Sequence, residues 1–207
     1  MTITDTKKSA ATRYVADITA GSLLVHESRK VSTLLRGGLP PAEIKSRVIT
    51  ENLFQKRSPE TASRQCRLIL KRLLSMNPDF WTMICDGPLP LTKQALLACA
   101  IKDSRFLGDF MRDVVKSRAR AHDDQLRFGD WDRFLEMCEV IDPELSKLKE
   151  STSKKLRQVI IRILVESGYL ENRNSLRLTP IRIEPAIKKL LLDHDEKYVL
   201  KCMEVYE

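Results

Sequence analysis

Apolar residues recur along most of this 207-residue chain at intervals of three and four, the spacing that lines one face of an α-helix. A helix is expected over residues 22–35, closed by Gly37-Gly38 and the Pro40-Pro41 pair. From 42 to about 53, Ile44, Val48, Ile49 and Leu53 form a second stripe. Phe54-Gln55-Lys56-Arg57 then makes a turn of about four residues into a helix opened by Ser58-Pro59. A serine hydroxyl at that position accepts from the unpaired amides of the first turn, and proline at the first helical position misses no hydrogen bond. A short helix holds Phe80, Trp81 and Ile84, ending at Gly87-Pro88. Thr92 is placed to cap a long helical stretch through 119, with a break near Asp103-Ser104. Asp130 starts a helix containing Trp131, Phe134, Leu135 and Cys138, and Asp142-Pro143 a short one. Ser151 caps the next helix, which Gly168 ends. Asn172-Arg173-Asn174-Ser175 reads as a turn, and Leu176-Arg177-Leu178-Thr179 as a short alternating strand. Closing helices are expected over 185–192 and 196–206.

These elements predict an all-α (mainly α) protein, a compact helical bundle with two helix-turn-helix-like elements. Two helices joined by a short turn, the second of them basic, outline the first near residues 42–72. A basic helix, a glycine stop and a small polar β-hairpin give the second the order of a winged helix. Residues 1–13 lack periodicity and read as a disordered N-terminus. The polar segment around Asp123-Asp124 and Gly129 divides an N-terminal helical domain, 14–128, from a C-terminal winged-helix-like one, 129–207.

Charge sharpens this outline. The chain carries 36 Lys and Arg against 28 Asp and Glu, net +8. Residues 42–72 are net +5 and residues 147–162 again +5, so the remaining 160 residues net −2. Basicity gathered in two patches is the footprint of nucleic-acid binding. At about 100° per residue, Arg64, Arg67 and Lys71 share an arc of roughly 60°, opposite Ala62, Cys66, Ile69 and Leu73. Lys154, Lys155, Gln158 and Arg162 span roughly 100° opposite Leu156, Val159, Ile160 and Ile163. Ile161 and Val165 fall on or beside that polar arc; they are expected to pack against the hairpin or the other domain, the alternative being contact with thymine methyls. The candidate DNA-binding residues of the first element are Lys56, Arg57, Ser58, Thr61, Ser63, Arg64, Arg67 and Lys71. Those of the second are Ser151, Ser153, Lys154, Lys155, Arg157, Gln158 and Arg162, with Arg173 and Arg177 on the hairpin. Cations there reach phosphates, and a bidentate arginine or Gln158 also suits a base edge. The same faces would equally suit the acidic surface of a partner protein, or RNA.

Other chemistry is sparse. Glycines number seven and form neither GxxxxGK[ST] nor GxGxxG. His26, His122 and His194 are isolated, without metal-ligand spacing. Cys66, Cys85, Cys99, Cys138 and Cys202 contain no CxxC pair, so neither zinc nor a disulfide framework is expected. Asp109 and Asp113 stand one turn apart, but Arg105 and Arg112 beside them make ion pairs the simpler reading. Asp142-Pro143-Glu144 with Lys147 is the nearest approach to a nuclease cluster and reads as a cap on a one-turn helix. The expectation is a non-enzymatic protein without cofactor or metal. No apolar run nears the roughly 18 residues of a membrane span, and no signal-peptide pattern follows Lys7-Lys8. A cytoplasmic protein, a monomer when alone, is therefore expected.

Several of these stretches, in this order, resemble the BrxA family of the bacteriophage-exclusion (BREX) defence systems. They are residues 16–24, 52–67 around Lys56-Arg57-Ser58-Pro59, 94–101, 104–110 and 150–170. None is a catalytic signature; the likeness rests on their number and order, and it covers nearly all of the chain past residue 13. It implies a small accessory protein that works with a DNA methyltransferase and other factors to mark host DNA and block phage replication. Some members carry the label of inner-membrane protein, which does not fit the absence of an apolar span here.

Overall fold

The computed structural model describes Tyr14 and residues 16–206; the expected disordered segment, 1–13, lies outside the described residues. A 3-10 turn at Ala16–Ala20 precedes α1 (Val25–Arg36), α2 (Pro41–Thr50), α3 (Pro59–Leu74) and α4 (Asp79–Asp86). Then come α5 (Leu89–Asp103), α6 (Arg105–Asp109) and α7 (Lys116–Arg120), the last two joined by a π-helical stretch, Phe110–Val115. After them run α8 (Phe128–Ile141), a 3-10 turn at Pro143–Lys147, α9 (Glu150–Glu166), α10 (Pro185–Asp193) and α11 (Lys197–Met203). The fold is mainly α. Among the described residues β-pairing is limited to isolated antiparallel bridges, Leu170 with Leu178 and Gln125 with Arg177.

The centre is α5. Residues 94–101 are buried without interruption, and a helix apolar on every side has to lie inside a bundle. Ala95, Ala98 and Ala100 are small enough to let neighbours approach, and α1, α3, α4, α6, α10 and α11 pack around it. Arg29 of α1 ties the α4–α5 corner, donating to the Ile84 and Gly87 carbonyls and to the Thr92 hydroxyl. Thr92 is thus a buried residue within α5, whereas the sequence suggested a cap. The helix starts earlier because Pro88, Leu89 and Pro90 supply an entry whose missing amides cost nothing in a first turn.

Two further knots set the frame of the basic helices. Residues 16–23 pack against both α3 and α9. The Arg72 guanidinium, 4% exposed, donates to the Ser22 carbonyl at 2.6 Å and the Gly21 carbonyl at 3.4 Å. From α9, Glu166 accepts from the Ser22 hydroxyl at 2.7 Å and the Leu23 amide at 2.9 Å. The C-terminal ends of α3 and α9 therefore meet at one short segment. The second knot is aromatic: Tyr14, Phe106, Phe110, Trp131 and Phe134 stack with centroids 5.0–5.8 Å apart, joining the N-terminal segment, α6 and α8.

Several boundaries depart from the pattern reading. Helix α1 begins at Val25, after Leu24 in a left-handed conformation, and leaves Ser22 to the clamp just described. Helix α8 begins at Phe128, with Asp130 in its first turn accepting from the Arg127 amide. Helix α9 begins at Glu150 behind Lys149, so Ser151 lies inside the helix and does not cap it. Glu150 suits the positive end of the helix and pairs with Lys154 one turn on, which extends the helix past the serine. The expected strand at 176–179 does not form. Asn172 Oδ1 accepts from the Asn174 and Ser175 amides, and Leu176 has φ +51°, so the extended run is broken at its start. Gly168, at φ +88°, ends α9 as expected.

Candidate nucleic-acid interface

Helix α3 buries Ala62, Cys66, Ile69 and Leu73, as its pattern required, together with Leu68, Leu70 and Arg72. What it leaves outside is a narrow stripe, Glu60, Arg64, Arg67, Lys71 and Leu74. Ser58 caps the helix, its hydroxyl accepting from the Thr61 amide at 3.2 Å and donating to Glu60 at 2.7 Å. That bond and the Glu60 amide hold the Glu60 carboxyl below its usual range. The connection from α2 is longer than expected. Helix α2 stops at Thr50 because Asn52 and Gln55 take positive φ, and eight residues, 51–58, separate it from α3.

The stripe is not uniformly available. Lys71 pairs with Asp103 at 2.9 Å, and Lys56 with Glu27 at 2.7 Å. Arg57, Arg64 and Arg67 are exposed and hold no ion pair among the described residues. Thr61 and Ser63 are half-buried at the side of the stripe.

On α9 the polar face forms the wall of a cleft. Arg157, Gln158, Ile161 and Arg162 line one side of a cavity of about 390 Å³. The start of α8, with Phe128 and Trp131, lines another, and the 171–177 turn contributes Arg173 and Leu176. Segment 123–127 holds that turn in place: Leu126 donates to the Leu176 carbonyl, Gln125 to the Ser175 carbonyl and Leu178 to the Asp124 carbonyl. Ile161 is half-buried, packing against the core on one side and lining the cleft on the other. Lys154 pairs with Glu150 at 2.6 Å and Arg177 with Asp124 at 3.4 Å. Ser153 accepts from the Trp131 indole at 3.4 Å, and Ser151 is exposed in the first turn. Lys155, Arg157, Arg162 and Arg173 hold no ion pair among the described residues, and the Arg157 guanidinium lies 5.2 Å from the Phe128 ring centre.

One carboxylate faces this cleft, and it is engaged. Asp130 receives two bonds from Arg118, one from Arg133 and the Arg127 amide. Burial pushes its carboxyl up, but those donors and charges outweigh burial and hold it below the usual range. Arg118 also pairs with Asp123, which in turn pairs with Arg127 at 3.1 Å. Phe128, Trp131 and Arg127 were absent from the sequence-derived set. The available signal was an aromatic residue standing alone in a polar stretch between Arg127 and Gly129.

The other clusters are built as structure. Asp109, buried, accepts from the Tyr14 and Tyr198 hydroxyls at 2.9 Å each and pairs with Arg105 and Arg112. Asp113 pairs with Arg112, so the two aspartates are bound by ion pairs as expected, one of them inside the protein and not on its surface. Among the described residues no group of three or more His, Cys, Asp or Glu is placed to hold a metal ion. All five cysteines are free and four are buried; burial pushes the Cys99 and Cys138 thiols up to about 12. Among the described residues no helix is long and apolar enough to cross a membrane.

Comparison with known proteins gives a consistent result. The family model described as BrxA matches residues 12–195. A protein of Paramagnetospirillum magneticum (strain ATCC 700264 / AMB-1), named BREX protein BrxA, is 39% identical over 196 residues, covering 95% of this chain and 98% of that one. Proteins of the same name from Bacillus cereus (strain H3081.97) and Escherichia coli O9:H4 (strain HS) are 30% and 24% identical. The first alignment covers 79% of this chain and 82% of its relative, the second 92% and 90%. Among solved structures, the crystal structure of an uncharacterized protein from Magnetospirillum magneticum matches with a TM-score of 0.86 at 37% identity. That match covers 93% of this chain and 99% of the other.

Proposed function

The chain belongs to the BrxA family of BREX proteins, and from its surface we propose that it is a non-enzymatic accessory protein that binds duplex DNA. The observation that carries the reading is the clustering, on and beside two helices, of cations that have no carboxylate partner among the described residues. They are Arg57, Arg64 and Arg67 around α3, and Lys155, Arg162, Arg173 and the half-buried Arg157 around α9. Within the candidate set Lys56, Lys71, Lys154 and Arg177 are paired. Exposed cations without an ion pair among the described residues also occur outside it, as at Arg120, Arg182, Lys189 and Lys201, so it is the clustering of these seven that matters. Unpaired guanidinium groups on two helix faces are suited to phosphate, because each contact releases a condensed counterion. Other BREX proteins, among them the methyltransferase, are the proposed partners of the DNA-bound form, and the free protein is proposed to be a monomer.

A second reading, a protein adaptor, draws on a different surface. Met137, Val140 and Ile141 of α8 are 53%, 85% and 51% exposed, and an apolar patch of that kind suits a protein partner.

Fluorescence anisotropy with a labelled duplex across a salt series separates the two. Seven unpaired cations on phosphates predict a log–log slope near about −6. Arg64→Glu with Arg67→Glu should weaken binding to every sequence tested and flatten the slope by about 2. Unchanged affinity and slope in that variant, and in Lys155→Glu with Arg162→Glu, would leave the adaptor reading standing.

A further inference from the structure

A duplex backbone needs exposed cations and nothing more. The cleft between α8, α9 and the 171–177 turn has more. Its cations ring an apolar hollow of about 390 Å³, a volume within the range of small-ligand sites, about 300–1,000 Å³, and far too small for a duplex. Leu126, Trp131, Ile161 and Leu176 make its apolar lining. Phe128 stands at the edge, 70% exposed, an aromatic ring outside the core cluster with the Arg157 guanidinium 5.2 Å from its centre. The carboxylate in the lining, Asp130, is neutralised by Arg118 and Arg133, while Arg157, Arg162 and Arg173 hold no ion pair among the described residues. An occupant therefore has to be planar and apolar on one side and anionic on the other. A nucleotide meets both requirements: a base stacks on an exposed aromatic ring, and its phosphate takes the guanidinium groups.

We propose that this cleft seats one unpaired nucleotide of a DNA strand, with the base against Phe128 and the flanking phosphates on Arg157, Arg162 and Arg173. Gln158, exposed on the same wall, offers an amide to the base edge. Stacking accepts any base, so the site reads the unpaired state and not the sequence. The proposal rests on the DNA-binding reading above and deepens it: the cations of both helices hold the backbone, and the cleft adds a base contact only where pairing is disrupted.

The test uses three labelled duplexes: fully paired, carrying one bulged thymidine, and carrying a bulged abasic sugar in its place. The wild-type protein should bind the thymidine bulge about tenfold more tightly than the other two, the size expected for one stacked base. Phe128→Ala should abolish that preference and leave affinity for the paired duplex unchanged. Because the ring is largely exposed, the variant should keep the wild-type circular dichroism and melting temperature. Equal wild-type affinity for all three duplexes, or a preference that survives Phe128→Ala, overturns the proposal. The paired duplex reports on backbone binding independently: if it fails to bind while the bulge binds, the duplex reading falls and the cleft stands. Free dTMP is the remaining arm, read by Trp131 emission in a Trp81→Phe background, since the chain has two tryptophans. Saturable quenching by dTMP without any preference for the bulge assigns the cleft to a free nucleotide and overturns its assignment to a DNA strand.

Discussion

Arg64 and Arg72 lie about two turns apart on α3 and have opposite surroundings. Arg64 is exposed and unpaired. Arg72 is buried against the Gly21 and Ser22 carbonyls and lies 3.8 Å from Asp103, itself nearly inaccessible. Burial pushes the Arg72 guanidinium down to about 10, against the pull of Asp103, so at neutral pH it stays charged. Arg72→Leu should therefore cost about 3–5 kcal/mol in urea denaturation, because Asp103 and two carbonyls lose a buried partner. Arg64→Leu should stay within about 0.5 kcal/mol of wild type, as exposed substitutions do, and lower DNA affinity instead. Similar stabilities for the two variants would show that Arg72 does not hold residues 21–22. The helical wheel was enough to keep Arg72 off the basic arc. It could not show that Lys56 and Lys71 are neutralised, because Glu27 and Asp103 lie 29 and 32 residues away in sequence. The Glu150–Lys154 pair was within reach, since its spacing of four is a local signal.

At the scale of elements, α3 and α9 carry similar opening signals and start differently. Both have a serine just before a basic run, but Ser58 is followed by a proline and Ser151 is preceded by Glu150. In α3 the proline fixes the start, and the Ser58 hydroxyl takes the Thr61 amide. In α9 the helix already runs through Ser151. Ser58→Ala should cost about 1 kcal/mol by thermal or urea unfolding, the usual loss for a cap, and Ser151→Ala should fall within about 0.5 kcal/mol. Equal losses would mean that Ser151 does cap its helix. Periodicity made the helices legible because each buries one stripe; α5 departs from that rule, with seven apolar or small residues in succession from Ala95 to Ile101. The 176–179 strand was misread because alternation alone does not reveal the left-handed backbone of Leu176 or the Asn172 turn. Neither could local pattern show that α8, α9 and the turn enclose a cleft, since Arg157, Phe128 and Arg173 meet only through tertiary packing.

At the scale of the whole molecule, the placement of α3 relative to α9 depends on residues 16–23. Arg72 grips that segment from one side and Glu166 from the other, at the C-terminal ends of both helices. Two surfaces held rigidly bind one duplex more tightly than two that must be ordered on binding, because the ordering cost is met during folding. Glu166→Ala removes the acceptor of the buried Leu23 amide and of the Ser22 hydroxyl, a loss of about 1–3 kcal/mol in stability. It removes no cation and lies outside both proposed contact surfaces. If α3 and α9 engage the same duplex, this variant should bind DNA several-fold more weakly at a temperature where it is fully folded. Its salt slope should remain that of the wild type, because the number of phosphate contacts is unchanged. An unchanged affinity would assign the duplex to one helix alone, and a flattened slope would mean that loosening the clamp takes one basic face off the DNA altogether.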